Sequence, residues 1–187
     1  MSIAATAVVY PQTVDLPVAV RVAFGVYSAT LIAMYIASAM SHAVMSRGPK
    51  HLWRVIDQGV IYLLIVGTYT PIVAAFVPNG TRAIMMSLLW AVALAGCLRK
   101  LVWQRDIIQF SAKSYLALGW IPALCVQPFV PMQILVGLLV GGIFYSTGAW
   151  FLLNDRRAWY FHSIWHVFVI IASICHYYTI WRFVLHV

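Results

Sequence analysis

Glutamate is absent from this sequence. Its 187 residues hold four acidic side chains, all aspartate, against twelve lysines and arginines. Charged residues make up 9% of the chain and hydrophobic ones 64%, whereas a soluble domain carries roughly 25% and 45–50%. That imbalance excludes a water-soluble globular fold. The net charge of +8 does not point to nucleic acid, because the basic residues fall between apolar runs, where they act as topology signals. Cysteine is scarce as well. Cys97, Cys125 and Cys175 stand far apart in apolar stretches without a CxxC spacing, which excludes a disulfide framework and leaves buried thiols. No basic n-region precedes an apolar core at the N-terminus, so no cleavable signal peptide is expected and the first membrane helix directs insertion. Linkers, internal repeats and low-complexity tracts are lacking too.

What is present is a series of apolar runs of membrane-spanning length. About 30 Å of hydrocarbon at 1.5 Å per residue needs about 20 residues, and six segments, at about 19–44, 55–77, 82–103, 112–129, 131–153 and 159–183, meet or approach that length. The fourth is the weakest, being short and containing Gly119 and Pro122. Connections such as PNGT (78–81) and NDRR (154–157) are short, so neighbouring helices should run antiparallel. The expected fold is all-α: a polytopic transmembrane helical bundle of six helices over residues 19–187, preceded by a short segment, 1–18. Arg47, Lys50, Arg54, Arg99, Lys100, Arg105, Lys113, Arg156 and Arg157 lie on one side of the bilayer and only Arg21, Arg82 and Arg182 on the other. This nine-to-three bias predicts cytoplasmic odd-numbered loops, with both termini outside the cell or inner membrane. Trp53, Trp103, Trp150, Trp159 and Trp181 fall near helix ends, as an aromatic belt would.

Polar residues inside such segments are costly and mark functional positions. Counting from the nearest cytoplasmic arginine, His42, Asp57, His162 and His166 lie at depths of roughly 5–14 Å, so four costly groups from three helices share one layer near the cytoplasmic face. His176 lies about 15 Å deeper than His166 and belongs to another layer. His162 and His166, spaced i,i+4, project from one side of the last helix, with Ser173 near the same stripe. In the first helix, Ala29, Ala33, Ala37 and Ser41 form a small-residue row suited to close helix approach, and Ser38 and His42, beside it, should face the interior. Asp57 and Thr68 share one face of the second helix.

Three histidines and a carboxylate converging in a dry interior suggest zinc. HxxxH supplies two ligands, a third comes from another helix, and a fourth tetrahedral position is left for water. Asp57 would hydrogen-bond the zinc-bound water or a histidine N–H, and Ser38 sits one turn from His42. Core histidines bonded to serines or carbonyls are the plainer reading of HxxxH alone, and paired histidines on two helices can also hold a b-type haem. Against haem, the polar groups form one shallow layer instead of a stack across the membrane. Pro71 in GTYTP (67–71) should free the Gly67 carbonyl and bend the second helix, with Thr68 or Thr70 able to bond the freed group. Gly137, Gly141, Gly142 and Gly148 should permit close packing of the fifth helix. His51 and His186 read as titratable residues of a loop and a terminus.

SAMSH (38–42), Asp57 with IYLLIVGTYTP (61–71), LGW (118–120), LLVGGIFYSTGAWF (138–151) and FHSIWHVFVIIASICHYY (161–178) together resemble the hemolysin III branch of the progestin and adipoQ receptor family. The match runs in order from about residue 20 to 181, and the combination of SxxxH, Asp, GTYTP and HxxxH is far more specific than any one of them. The resemblance implies a seven-helix membrane protein with an intramembrane zinc near the cytoplasmic side. His42, His162 and His166 would be its ligands, Asp57 would interact with zinc-bound water, and Ser38 would be the motif serine. The family is similar to alkaline ceramidases, which implies a lipid amide hydrolase, and its bacterial members are associated with membrane homeostasis.

One departure stands out. The motif histidine belongs to the family's second helix, yet here it ends the first, and MSIAATAVVY is too short to span a bilayer. The family's first helix is therefore expected to be missing, its place being filled by a neighbouring protomer of a homo-oligomer or lost by truncation. Three functions stand open at this point. One is a zinc-dependent hydrolase of a membrane lipid amide or ester, with Asp57 moving the proton because no glutamate is available. Another is a receptor-like sensor with structural zinc. The third is an ion or proton carrier. Pore formation, suggested by the family's name, has no amphipathic pore-lining segment behind it.

Overall fold

The computed structural model describes residues 16–103, 108–155 and 157–186, and among them the regular structure is helical throughout. Six α-helices follow one another: α1 Val18–Ala43, α2 Arg47–Phe76, α3 Asn79–Trp103, α4 Ile108–Val126, α5 Met132–Leu153 and α6 Phe161–Phe183, with a single 3₁₀ turn, Gln127–Phe129, after α4. They form two compact units, α1–α3 within Met1–Asp106 and α4–α6 within Ile107–Val187. All but α4 are long and apolar enough to cross a membrane. Lys113, Ser114 and Pro122 interrupt the apolar run of α4, which is helical throughout. Residues 1–15, where the additional family helix was at issue, and Arg105 and Arg156 of the basic loops lie outside the described residues.

Three helices, α2, α3 and α4, begin several residues earlier than hydropathy suggests. α2 starts at Arg47, eight residues before the apolar run, because its first turn is polar but still helical, and Pro49 sits there without cost since its missing N–H has no partner to lose. His51 is thus an exposed residue of α2 and not of a loop. Asn79, Gly80 and Thr81 of PNGT are likewise absorbed into α3, whose start is sealed when Arg82 Nε donates to the Val77 carbonyl at 3.0 Å.

In the N-terminal unit, α2 packs against both α1 and α3. The buried stripe of α1 is Val20, Phe24, Tyr27, Leu31, Met34, Ala37 and Ser41, a three-and-four spacing that stays on one face. The expected small-residue row only half joins it, for Ala37 and Ser41 are buried while Ala29 and Ala33 are exposed. A strict every-fourth row precesses about 40° per step at 3.6 residues per turn, so its two ends cannot meet one neighbour. Close approach of α1 and α2 comes instead at Gly67, where a methyl group would collide with Thr30 Oγ1. α2 and α3 exchange glycines. An added Cβ at Gly59 would lie 3.3 Å from Cys97 Sγ, and one at Gly96 would lie 2.7 Å from the Tyr62 ring.

Pro71 is fully buried, and α2 runs on through it. Neither threonine serves the Gly67 carbonyl. Thr68 Oγ1 donates to the Leu64 carbonyl at 2.9 Å and Thr70 Oγ1 to the Val66 carbonyl at 2.8 Å, each hydroxyl taking the carbonyl one full turn back.

In the C-terminal unit, α5 is the spine. Three of its glycines face α6: added Cβ atoms at Gly137 and Gly141 would collide with Thr179 Oγ1 and His176 Nε2, and one at Gly148 would lie 2.8 Å from Phe168 and 3.0 Å from Trp165. Gly142 faces α4, where the Trp120 ring would lie 3.1 Å from an added Cβ and Trp120 Nε1 donates to Ser146 Oγ at 3.1 Å. The LGW segment is therefore the docking point of α4 on the double glycine of α5. Large apolar side chains point outward instead, among them Ile84 (64% exposed), Leu88 (62%) and Val102 (70%) of α3. Bulk outside and small residues at the helix contacts is what lipid favours, since lipid tails give apolar side chains no reason to hide.

This packing predicts opposite outcomes for two glycines. Gly141→Ala pushes a methyl into the His176 ring and is expected to destabilise by about 1–3 kcal/mol, whereas Gly119→Ala, with no described heavy atom within 4 Å, should be neutral or stabilising by up to about 1 kcal/mol. Thermal unfolding of the purified variants in detergent measures both.

Candidate metal centre

α6 emerges from the α5–α6 connection at Phe161 and places His162 and His166 within two turns of that start. Trp165, Val169, Ala172, Ser173, His176 and Thr179 form the face turned to α5. His162 and His166 lie at the edge of that face and are half-buried. Their orientation is anchored by aromatic packing at the end of α5: Phe151 meets Phe161 edge-on at 5.2 Å between ring centroids and stacks on Phe168 at 5.6 Å. Trp165 and Phe168, held against Gly148, leave α6 little freedom to rotate.

The two imidazoles meet edge to face, with centroids 4.8 Å apart and planes at 82°. Their Nε2 atoms converge to 3.2 Å. Two nitrogens each about 2.0–2.1 Å from one tetrahedral ion are separated by about 3.3 Å, so this donor pair fits zinc. A single haem, in contrast, takes its two axial imidazoles on opposite faces of the ring, an arrangement that neighbours on one turn of one helix cannot make.

The remaining predicted site residues lie in the N-terminal unit. His42 is exposed in the last turn of α1, one residue beyond Ser41, where the buried stripe ends. Ser38, one turn earlier, is half-buried, and its carbonyl accepts from Ser41 Oγ at 2.8 Å. Asp57 is half-buried on α2, on the same face as buried Thr68.

His176 is accounted for differently. It is buried against α5, its Nε2 lies 3.4 Å from the Leu138 carbonyl, and its ring packs on Tyr145 at 5.6 Å. Beside it, the Tyr145 and Ser173 hydroxyls lie 2.8 Å apart. These contacts join α5 to α6, about 15 Å along the axis from His166. Ser173 shares the stripe of the histidine pair but is engaged here.

Two polar residues escaped sequence reasoning. Lys100, counted as a loop charge, is buried on α3, and its Nζ donates to Gln58 Oε1 at 2.7 Å. The signal was its spacing from Ala93 and Cys97, the buried stripe of α3. Asp155, taken only as part of a short loop, has Oδ2 3.9 Å from His162 Nδ1. It precedes His162 by seven residues, and it is the single acid of NDRR.

A chain whose described residues are helical and include five membrane-length helices, with a converged imidazole pair at the start of the last, is a multi-pass integral membrane protein. Known proteins give it a family. A profile described as Haemolysin-III related matches residues 1–177. Hemolysin-3 of Bacillus cereus is 31% identical over 169 residues, covering 88% of this chain and 76% of the relative. Hemolysin-3 homolog of Bacillus subtilis (strain 168) is 30% identical over 155 residues, 81% and 72% of the two chains. The human Monocyte to macrophage differentiation factor is 29% identical over 163 residues, 84% and 68%. No solved structure matches. The chain belongs to the haemolysin III-related family, in the hemolysin III branch of the progestin and adipoQ receptor family.

Because His176 serves the α5–α6 contact, His176→Ala is expected to lower the unfolding temperature while leaving metal content unchanged. Elemental analysis alongside thermal unfolding separates this from His162→Ala, which removes one nitrogen of the candidate metal pair.

Proposed function

We propose that this protein is a zinc-dependent hydrolase of a membrane lipid amide, with His42, His162 and His166 as ligands and Asp57 and Ser38 as the reacting side chains. The observation that carries the reading is the 3.2 Å approach of the His162 and His166 Nε2 atoms, a spacing suited to two corners of one tetrahedral ion. The order and spacing of SxxxH, Asp57, GTYTP and HxxxH support the assignment of His42 as third ligand. The nine-to-three distribution of basic residues supports a cytoplasmic position for the site layer.

The reaction adds water across the amide bond, with hydroxyl joining the acyl carbon and hydrogen the departing nitrogen. What a bound zinc ion supplies is Lewis acidity and a nucleophile drawn from water at neutral pH. Asp57 accepts the proton of the attacking water and returns it to the amine as the C–N bond breaks. The absence of glutamate leaves this work to an aspartate. Ser38 offers a hydroxyl one turn from His42 to orient the substrate carbonyl.

Purified wild-type protein is expected to carry one zinc per chain, and each of His42→Ala, His162→Ala and His166→Ala to lose it. Asp57→Asn should keep zinc while turnover of ceramides or other acyl amides falls by about 10²–10⁴-fold. Zinc retained at full occupancy with no turnover of any acyl lipid would reject the hydrolase and leave a receptor-like or membrane-homeostasis protein in which zinc ties helices together. Zinc-free wild-type protein would reject both.

A further inference from the structure

We infer that Asp155 is a positioning residue that orients the ring of His162 for metal binding. The inference rests on the zinc reading above. His162 has two ring nitrogens, and each faces a different partner: Nε2 lies 3.2 Å from His166 Nε2, while Nδ1 lies 3.9 Å from Asp155 Oδ2. The carboxylate is thus about 1 Å beyond hydrogen-bond reach, on the side of the ring away from the converging donors. A carboxylate beside that nitrogen, once drawn into reach, accepts a hydrogen bond from Nδ1–H, keeps the imidazole in the tautomer whose Nε2 lone pair is free for a metal, and makes that nitrogen a stronger donor.

The turn that carries Asp155 is built to hold it there. At the end of α5 the Asn154 side-chain amide donates to the Trp150 carbonyl at 2.8 Å. The Asp155 N–H donates to the Leu152 carbonyl at 3.3 Å and the Arg157 N–H to the Asn154 carbonyl at 2.8 Å. On the far side of the connection, the Phe161 N–H donates to the Ala158 carbonyl at 3.0 Å, and Phe161 packs edge-on against Phe151. Both ends of the α5–α6 connection are therefore tied down, which sets Asp155 one short reach from a residue two helical turns later in sequence. With Asp155 27% and His162 42% exposed, the two groups sit at the edge of the site, where a surface ion pair alone would contribute little. Their value lies in fixing a ring, not in adding stability.

The test compares wild type with Asp155→Asn and Asp155→Glu, each as the full chain in detergent, by competing zinc against a chelator of known affinity. Cobalt(II) substitution reports the ligand field, and thermal unfolding of the metal-free proteins reports the fold. Asp155→Asn is expected to retain one metal site but to bind zinc roughly 10- to 100-fold more weakly, with altered cobalt absorption bands and an unchanged unfolding temperature in the metal-free form. Asp155→Glu should keep more of the affinity than Asp155→Asn. Unchanged zinc affinity and cobalt bands in Asp155→Asn would overturn the inference while leaving the zinc site intact. So would a loss of affinity matched by an equal loss of metal-free stability, which would reduce Asp155 to a turn residue. Wild-type protein that binds no zinc would overturn the underlying reading and this inference with it.

Discussion

The contact between α5 and α6 depends on the absence of side chains on α5. At Gly137, Gly141 and Gly148 the backbone of α5 receives Thr179, His176 and the Trp165–Phe168 pair directly, and no larger residue leaves room for them. Within the C-terminal unit, this seam determines the rotation of α6 about its axis. That rotation in turn decides that His162 and His166 stand at the edge of the packed face, where their inner nitrogens can converge on an ion. A membrane helix has no hydrophobic drive to bury one stripe, so close van der Waals approach and a few polar contacts must do this work.

The polar side chains fall into two groups by what they bond. Thr68, Thr70, Ser146, Thr147 and Thr179 each return their hydroxyl to the carbonyl one turn back in their own helix, which removes an unpaired donor from the apolar interior at no demand on a neighbour. Lys100 with Gln58, Trp120 with Ser146, and Tyr145 with Ser173 reach across to another helix of the same unit and add direction to contacts that glycine makes close. In the histidine pair the two Nε2 atoms face each other at 3.2 Å, a spacing that matches two corners of one tetrahedral ion.

Much of the architecture was legible because hydrocarbon thickness imposes a length on every crossing. The apolar runs located all six helices to within a few residues at most ends. Where the starts were missed, as at Arg47 and Asn79, the helix continued into polar residues that a hydropathy reading assigns to loops although their backbone satisfies itself equally well there. The small-residue row of α1 misled for a geometric reason: Ala29 and Ala33 rotate away from the face that Ala37 and Ser41 occupy. The assignment of Lys100 as a loop charge failed because a long apolar stem can be buried while its amine finds an amide.

By itself the sequence determined that the chain is helical and built for a membrane, and that His162 and His166 share one side of a helix, since composition, segment length and the 3.6-residue period need no partner to be read. Only the tertiary structure decided what each histidine does. The ring of His176 is given to the Leu138 carbonyl and Tyr145, and Asp155 is carried by its turn to the outer nitrogen of His162. Those assignments depend on which groups of another helix or turn come within a few ångströms, a distance that spacing along one helix does not contain.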